Sequence, residues 1–254
     1  MDWWDEELCE RLAGGPLLVI RYDLRDTGQS VAYAPGAPGY DGNDLVEDAA
    51  GLLDALGIER AHIVGMSMGG GIAQYLALEH PDRLTGLTLI STSPAVPRGR
   101  DKPELPPASD ELKKLFAEPL PEPDWSDRAA VIDYIVAGER PYAGSLGFDE
   151  ERLRALAERV VGRTRNIEAS LKNHWLLDHG EPLRRQLAEI AAPTLVVHGT
   201  EDPLFPYAHA EALAAEIPGA RLMPLAGVGH EMPPPAMWDA LVAAIYEQTR
   251  PGEP

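Results

Sequence analysis

The sequence contains very little cysteine, few aromatic residues and no long apolar run. Its 254 residues include one cysteine, Cys9, and only 6% are Phe, Trp or Tyr. One cysteine excludes an intramolecular disulfide, which is typical of a reducing compartment. No segment approaches the roughly 20 apolar residues that a membrane-spanning helix needs. The acidic start, residues 1–7, lacks the positive charge of a signal peptide. We therefore expect a cytoplasmic protein with no membrane partner.

Basic residues are also scarce. The chain has 22 Lys and Arg against 41 Asp and Glu, which gives a formal net charge of −19. Such a surface repels phosphate groups, so we expect no nucleic-acid partner. No set of His, Cys, Asp or Glu has the spacing of metal ligands, and the glycine-rich segment 65–71 lacks the lysine of a phosphate-binding loop. We expect no metal and no cofactor, and the sequence leaves monomer and homodimer open.

Short apolar segments alternate with amphipathic ones along much of the chain. The apolar segments predict strands at 17–20, 61–64, 87–90, 194–199 and 220–225. The amphipathic segments predict helices at 3–12 (with Asp2 as N-cap), 43–56, 70–79, 208–216 and 235–248. This alternation is typical of an α/β fold in which a mostly parallel sheet carries helices on both faces.

The alternation is interrupted from Pro94 onward. Eight prolines lie between residues 94 and 123, and three helical patterns follow, at 128–136, 149–161 and 166–177. We interpret residues 94–187 as a helical insertion in a core made of residues 1–93 and 188–254. Trp125 and Trp175 are candidates to line a substrate pocket; the alternative is that they form the insertion's own small core.

The segment from Gly65 to Gly69 has the GxSxG pattern of a nucleophile elbow. In this motif a serine sits on a sharp strand-to-helix turn, and we expect that a side chain at either glycine would collide with the neighbouring backbone. The backbone N–H of Met68 then begins the next helix, where partial positive charge favours an oxyanion. The pattern predicts Ser67 as a nucleophile and the Met68 N–H as an oxyanion donor.

Two residues follow later predicted strands and suit the partners of such a serine. A serine hydroxyl needs an imidazole to accept its proton, and the imidazole needs a carboxylate to orient it. Asp202 lies just after the strand at 194–199, and His230 lies just after the strand at 220–225. Loops at the carboxyl ends of parallel strands meet at one edge of the sheet. We therefore predict a catalytic triad of Ser67, Asp202 and His230.

Rival residues exist for both partners. Glu201 is the alternative acid, although the length of the loop after the strand favours Asp202. We expect His62 to be exposed, His209 to begin a surface helix and His198 to be packed inside its strand. The remaining histidines are expected to be structural, with contact to substrate as the alternative for the two in the insertion: His80, His174 and His179.

The chain resembles the α/β-hydrolase superfamily over most of its length. The matching motifs are the loop 23–30, which is similar to DxRGxGxS with Asp26 in place of a glycine, and the segments 65–70, 79–84, 193–202 and 229–230. The form of the loop, together with residues 4–6 and 21–23, most resembles aclacinomycin methylesterase-like enzymes, which remove a methyl ester from a polyketide antibiotic intermediate. The resemblance implies that residues 23–30 are a structural loop near the site and that the insertion is a lid.

One part of the family pattern has no counterpart here. Members normally begin with a hairpin and an apolar strand ending in His-Gly or Gly-Gly, whose loop donates the second oxyanion N–H. The resemblance therefore implies that these N-terminal strands are absent, by a late start site or by truncation. For the chain starting at Met1 we expect an open sheet edge beside residues 17–20, reduced stability and reduced activity.

These observations together predict a serine hydrolase. We expect it to cleave a carboxylic ester of a small or medium-sized apolar molecule through an acyl-enzyme. One alternative keeps the same three residues but performs carbon–carbon bond hydrolysis or a cofactor-free perhydrolase reaction, since the fold does not determine the chemistry. An alternative of another class is a truncated, non-catalytic ligand-binding protein.

Overall fold

A four-stranded parallel sheet forms the centre of the molecule. The computed structural model describes residues 1–15, 17–99, 101–178 and 183–249. The strands lie side by side in chain order and are β1 (Ala61–Met66), β2 (Leu84–Ile90), β3 (Thr194–Gly199) and β4 (Arg221–Leu225). Each neighbouring pair is parallel. Four of the five predicted strands are therefore present, with β1 and β2 longer than predicted.

Helices connect the strands. Those of the described chain are α1 (Glu6–Ala13), α2 (Gly42–Ala55), α3 (Met68–Glu79), α4 (Asp110–Ala117), α5 (Arg128–Glu139), α6 (Glu150–Arg163), α7 (Ile167–Lys172), α8 (Ala208–Glu216) and α9 (Trp238–Thr249). Crossover helices of this kind are what parallel strands require.

The sheet is covered on both faces because successive side chains of each strand point to opposite sides. Leu89 and Val196 pack with α3 and α8 in one buried cluster. Ile90 and Val197, their neighbours in sequence, pack with α1 and α9 in a second cluster. Both faces of the sheet are covered by apolar side chains and helices, so the predicted α/β architecture is confirmed.

The first helix begins later than predicted. Its N-cap is Asp5, whose side chain accepts a hydrogen bond from the backbone N–H of Glu7. Residues 1–4 instead form a turn closed by the bond from Trp4 N–H to the carbonyl of Met1. Asp2, the predicted cap, pairs with the guanidinium of Arg163 on α6. The cap assignment was wrong because a long-range ion pair holds Asp2 away from the helix.

Residues 17–20 do not form the predicted strand. Val19 packs into the second cluster, but Leu18 is 82% exposed. A strand needs a neighbour to satisfy its backbone N–H and C=O groups, and β1 pairs only with β2 among the described residues. A cavity of about 1140 Å³ has both residues 17–20 and β1 in its wall. The apolar run at 17–20 therefore lacks the ladder that would make it a strand.

Four α-helices lie in the described residues between β2 and β3, where the sequence predicts a helical insertion. Three match predicted helical patterns, although the helical pattern at 166–177 ends as an α-helix at Lys172 and continues as a 3₁₀ turn. The helix α4 was not predicted. Its signal was present in the sequence, because Ser109 caps it by accepting from Leu112 N–H and two acidic residues occupy its first turn.

Candidate active site

Ser67 stands on a strained turn at the end of β1. Its backbone has φ +50° and ψ −118°, a conformation that non-glycine residues rarely adopt. The turn is held from the side of β2: Ser67 N–H donates to the carbonyl of Ile90 at 3.0 Å, and Thr92 Oγ1 donates to the carbonyl of Ser67 at 2.8 Å. Strain of this kind persists only where the surroundings impose it, and it is common at functional sites.

The glycines around Ser67 do not all have the expected role. A Cβ on Gly65 would lie 2.2 Å from the carbonyl oxygen of Gly69, so β1 and α3 could not meet with a side chain there. A Cβ on Gly69 would meet no atom within 4 Å. The close approach occurs instead at Gly70, where a Cβ would lie 2.6 Å from Thr92. The expectation of a collision at both motif glycines was therefore wrong for Gly69, which faces the cavity.

His230 lies between Ser67 and Asp202. Its Nε2 is 3.0 Å from Ser67 Oγ, and its Nδ1 is 2.8 Å from Asp202 Oδ2. Because a carboxylate can only accept, Nδ1 carries the proton and Nε2 is left to accept from the serine hydroxyl. The backbone N–H of His230 donates to the carbonyl of Tyr142 at 2.8 Å, and the ring of Phe205 lies 5.4 Å from the imidazole.

Asp202 is buried and fully hydrogen-bonded. Its Oδ1 accepts from the backbone N–H groups of Leu204 and Phe205 at 2.9 and 2.8 Å. Its Oδ2 faces His230 and also lies 3.3 Å from His198 Nε2. Burial alone would raise the pKa of Asp202, but hydrogen bonds from His198 and His230 and the backbone donors outweigh it and hold the pKa well below its usual range. The carboxylate is therefore charged at neutral pH.

Glu201 points away from this chain of hydrogen bonds. It is exposed, and its carboxylate accepts from the backbone N–H and the hydroxyl of Ser145, both at 2.7 Å. Glu201 and Asp202 are adjacent in the loop but bond to different residues, Ser145 and His230. The structure brings Asp202, and not Glu201, to His230.

Two histidines differ from their expected positions. His62, expected to be exposed, is half-buried; its Nε2 lies 2.8 Å from Thr88 Oγ1 and its Nδ1 is buried without a hydrogen-bond partner in the described structure. Burial lowers the pKa of His62 to about 4. His209, expected on a surface helix, is buried at the start of α8 and contacts Ser93 Oγ at 2.8 Å. In both cases the side chain is covered by residues distant in sequence.

The remaining histidines have structural positions where they are described. His198 is buried in β3 with Nε2 2.8 Å from the carbonyl of Phe205, and His80 ends α3 with a 3.2 Å contact to Glu47. His174 lies 2.9 Å from the carbonyl of Arg25 and also lines the cavity. His179 lies outside the described residues.

The Met68 N–H, the predicted oxyanion donor, is at the first residue of α3. The first N–H groups of a helix have no intrahelical acceptor, so they are available to a ligand. Met68, Ser67 and His230 all lie in the wall of the 1140 Å³ cavity. A carbonyl oxygen of a bound molecule can therefore approach the helix N-terminus from the cavity.

The two predicted lid tryptophans have different environments. Trp175 lines the cavity, is 71% exposed and has its ring 6.1 Å from that of Phe116. Trp125 packs instead in a small core of the insertion, with its ring 5.8 Å from Tyr134. Its position departs from the substrate-lining assignment because α5 and α6 supply an apolar contact surface that covers the indole.

Sequence reasoning missed several residues that hold the site together. His198 supports Asp202, Thr92 supports the backbone of Ser67, and Tyr142 and Phe205 flank His230. Thr92, Phe205 and Tyr142 have no local signal, since each acts on a residue at least 25 positions away. His198 lies only four residues before Asp202, and its packed position, though not its contact with Asp202, was expected. Within the described ranges no three His, Cys, Asp or Glu side chains could hold a metal ion, and no helix is both long and apolar enough to cross a membrane.

The sequence is similar to known proteins along most of its length. The model of a family described as alpha/beta hydrolase fold matches residues 17–234. Rhodomycin D methylesterase DauP of Streptomyces sp. (strain C5) is 31% identical over 97% of this chain and 86% of its own length. A 2-hydroxy-6-oxo-6-phenylhexa-2,4-dienoate hydrolase of Comamonas testosteroni is 32% identical over 76% of this chain and 68% of its own length. A crystal structure of a Pseudomonas aeruginosa PA01 hydrolase, 30% identical, superposes with a TM-score of 0.62, covering 90% of this chain and 78% of that chain.

Proposed function

Since the chain belongs to the alpha/beta hydrolase fold family and is an esterase-like hydrolase, we propose that it cleaves a carboxylic ester of a small or medium-sized apolar molecule with Ser67 as nucleophile. The observation that carries the proposal is the unbroken chain of hydrogen bonds from Ser67 Oγ through His230 to Asp202, with distances of 3.0 and 2.8 Å. The similarity to a methylesterase supports an ester substrate.

In the proposed reaction Ser67 Oγ attacks the ester carbonyl while His230 Nε2 accepts its proton. The buried carboxylate of Asp202 stabilises the resulting imidazolium, and the Met68 N–H donates to the oxyanion. Collapse of the tetrahedral intermediate expels the alcohol, which takes the proton from His230 and leaves an acyl-serine. Water, deprotonated by His230, then attacks the acyl carbon, and the acid is released with the serine restored.

We propose that residues 94–187 act as a lid over a core of residues 1–93 and 188–254. The support is contact: the carbonyl of Tyr142, in the 3₁₀ turn after α5, accepts a hydrogen bond from the backbone N–H of His230, and the ring of Tyr142 lies 5.9 Å from the imidazole. Phe148 and Trp175 of the same insertion line the cavity. A lid that excludes water from the cavity strengthens the electrostatic interactions on which the proposed reaction depends.

Replacing Ser67 with Ala tests the proposal. The wild-type protein should hydrolyse p-nitrophenyl acetate and butyrate and be labelled by a fluorophosphonate probe, and Ser67→Ala should lose both properties. The control is Ser145→Ala, which removes a hydroxyl bonded to Glu201 outside the proposed triad. Ester hydrolysis that persists in Ser67→Ala at the wild-type rate contradicts the proposal, as does a folded wild-type protein that the probe does not label; the latter result favours a non-catalytic ligand-binding protein.

A second candidate is hydrolysis of a carbon–carbon bond by the same residues. It is favoured by the Comamonas testosteroni relative, whose name specifies a dienoate hydrolase. Product analysis separates the two candidates, because an esterase releases an alcohol from an ester and leaves a dienoate ketone unchanged. A perhydrolase reaction would in addition require added hydrogen peroxide and a carboxylic acid.

A further inference from the structure

Glu139 occupies an unusual position beside the proposed catalytic centre. It is the last residue of α5 and lies in the wall of the cavity that also contains Ser67 and His230. Burial, and after it the charge of Glu231, raises the pKa of Glu139, while burial and then the charge of Glu139 raise the pKa of Tyr142. The ring of Tyr142 in turn lies 5.9 Å from that of His230. Glu139, Tyr142, Ser67 and His230 therefore share the wall of one cavity.

No partner satisfies this carboxylate in the part of the chain that the structure describes. It accepts no hydrogen bond there and forms no ion pair. Two nearby arginines have other partners: Arg140, the next residue, pairs with Glu150 at 2.5 Å, and Arg152 on α6 pairs with Asp5 at 3.0 Å. Glu231 accepts weakly from backbone N–H groups and adds a second negative charge.

The fully buried acids Asp202 and Asp26 differ in this respect from the half-buried Glu139. Asp202 accepts from two backbone N–H groups and His230. Asp26, which is 1% exposed, accepts from the backbone N–H of Tyr33 and from two further side chains. Burial, with the charge of Glu231, raises the pKa of Glu139 to about 7. An unpaired carboxyl in a cavity beside reactive groups is a mark of a functional position.

The cavity offers further features that suit a positive charge. Tyr142 lines it, and aromatic faces attract ammonium groups. The ring of Phe148, which also lines the cavity, already has the Arg140 guanidinium 4.5 Å from its centroid. The net charge of −19 raises the local concentration of cations around the molecule. A ligand cation would neutralise Glu139 and relieve its repulsion from Glu231. A neutral ligand would leave both carboxyl groups uncompensated.

We propose that Glu139 determines specificity by binding a positively charged ammonium group of the substrate while the ester carbonyl lies at Ser67. This inference rests on the proposed esterase function. It adds that the preferred esters carry a primary or substituted amine on one side of the scissile bond. Glu139 acts here as a specificity-determining residue with no part in proton transfer.

A pair of matched esters tests the proposal. p-Nitrophenyl 4-(trimethylammonio)butanoate carries a quaternary ammonium group, and p-nitrophenyl 5,5-dimethylhexanoate is its neutral isostere with carbon in place of nitrogen. At pH 8 the wild-type protein should have the higher kcat/KM for the cationic ester. Glu139→Gln should lower the ratio of cationic to neutral kcat/KM roughly 10- to 100-fold, the range expected for a lost charge-assisted contact. The control Glu151→Gln removes an exposed carboxylate of α6 and should keep the wild-type ratio.

The outcomes separate this inference from the proposed function. Equal kcat/KM values of the wild-type protein for the two esters overturn the cation site, and so does an unchanged ratio in Glu139→Gln. Equal loss on both esters shows a merely structural role and also overturns it. Absence of hydrolysis of either ester contradicts the esterase function instead. The cation site is then tested by calorimetric binding of the cationic ester to Ser67→Ala, which must weaken in Ser67→Ala/Glu139→Gln by the same factor.

Discussion

Replacing Asp202 with Asn probes the hydrogen-bond chain at its buried end with the smallest change in shape. The Asn Oδ1 can still accept from the backbone N–H groups of Leu204 and Phe205, which hold the native Oδ1 at 2.9 and 2.8 Å. The amide Nδ2 then replaces the oxygen that lies 2.8 Å from His230 Nδ1. An amide nitrogen donates, so it forces His230 to accept at Nδ1 and to carry its proton on Nε2.

That tautomer disables the proposed reaction. His230 Nε2, 3.0 Å from Ser67 Oγ, would then carry a proton and could no longer accept one from the serine. Replacing the triad carboxylate by its amide in a serine protease lowers kcat about 10⁴-fold with the geometry intact. A loss of this size corresponds to about 5.5 kcal/mol of transition-state stabilisation, since each 1.36 kcal/mol is tenfold.

The assay is steady-state hydrolysis of p-nitrophenyl butyrate at pH 8, together with urea unfolding to show that the variant is folded. Glu201→Gln is the matched control, because it makes the same change one residue away on a carboxylate that contacts only Ser145 among the described residues. We expect Glu201→Gln to stay within about threefold of wild type, as is usual for a surface position away from the chemistry. Asp202→Asn activity within tenfold of wild type, or an equal loss in Glu201→Gln, would refute the tautomer mechanism.

Three further predictions concern stability, each measured by urea unfolding. Gly65→Ala should destabilise by about 2–3 kcal/mol, because its Cβ would lie 2.2 Å from a carbonyl oxygen, whereas Gly69→Ala should stay within about 0.5 kcal/mol; similar values for the two would contradict the packing. Burial lowers the pKa of His62 in the folded protein to about 4, below its unfolded value. The stabilisation contributed by the neutral imidazole is therefore present in full above pH 6.5 and is lost as the pH falls toward 4, by at most about 3 kcal/mol. The difference in unfolding free energy between wild type and His62→Asn should shrink over that range, and a constant difference would exclude this linkage. In Asp26→Asn the new residue also tolerates φ +63°, but its amide presents a donor to Asn173 where the carboxylate presented an acceptor. The free energy of unfolding should fall by about 2 kcal/mol. An unchanged unfolding midpoint would show that these bonds contribute nothing to stability.

Much of the fold could be predicted from the sequence because its signals are local. The strands β1 to β4 are apolar runs bounded by turn residues, and the helices around them have caps and apolar stripes. The prediction failed where a distant partner decided the outcome. Residues 17–20 have the composition of a strand, but no ladder forms beside them. Asp2 has the chemistry of an N-cap, but Arg163, 161 residues away, holds it instead.

The candidate site divides in the same way. The elbow at Ser67 could be predicted because the glycine pattern, the turn and the following helix lie within a few residues of one another. Short-range backbone sterics of this kind follow directly from the local sequence. The length of the loop already favours Asp202 over Glu201 in the sequence, but which of the two side chains faces an imidazole 28 residues away is a property of the folded chain. The burial of His62 and the isolation of Glu139 depend on contacts brought together by the whole fold. Backbone preferences therefore depend on residues that are neighbours in the sequence. Hydrogen-bond partners and desolvation exist only once distant segments are packed together.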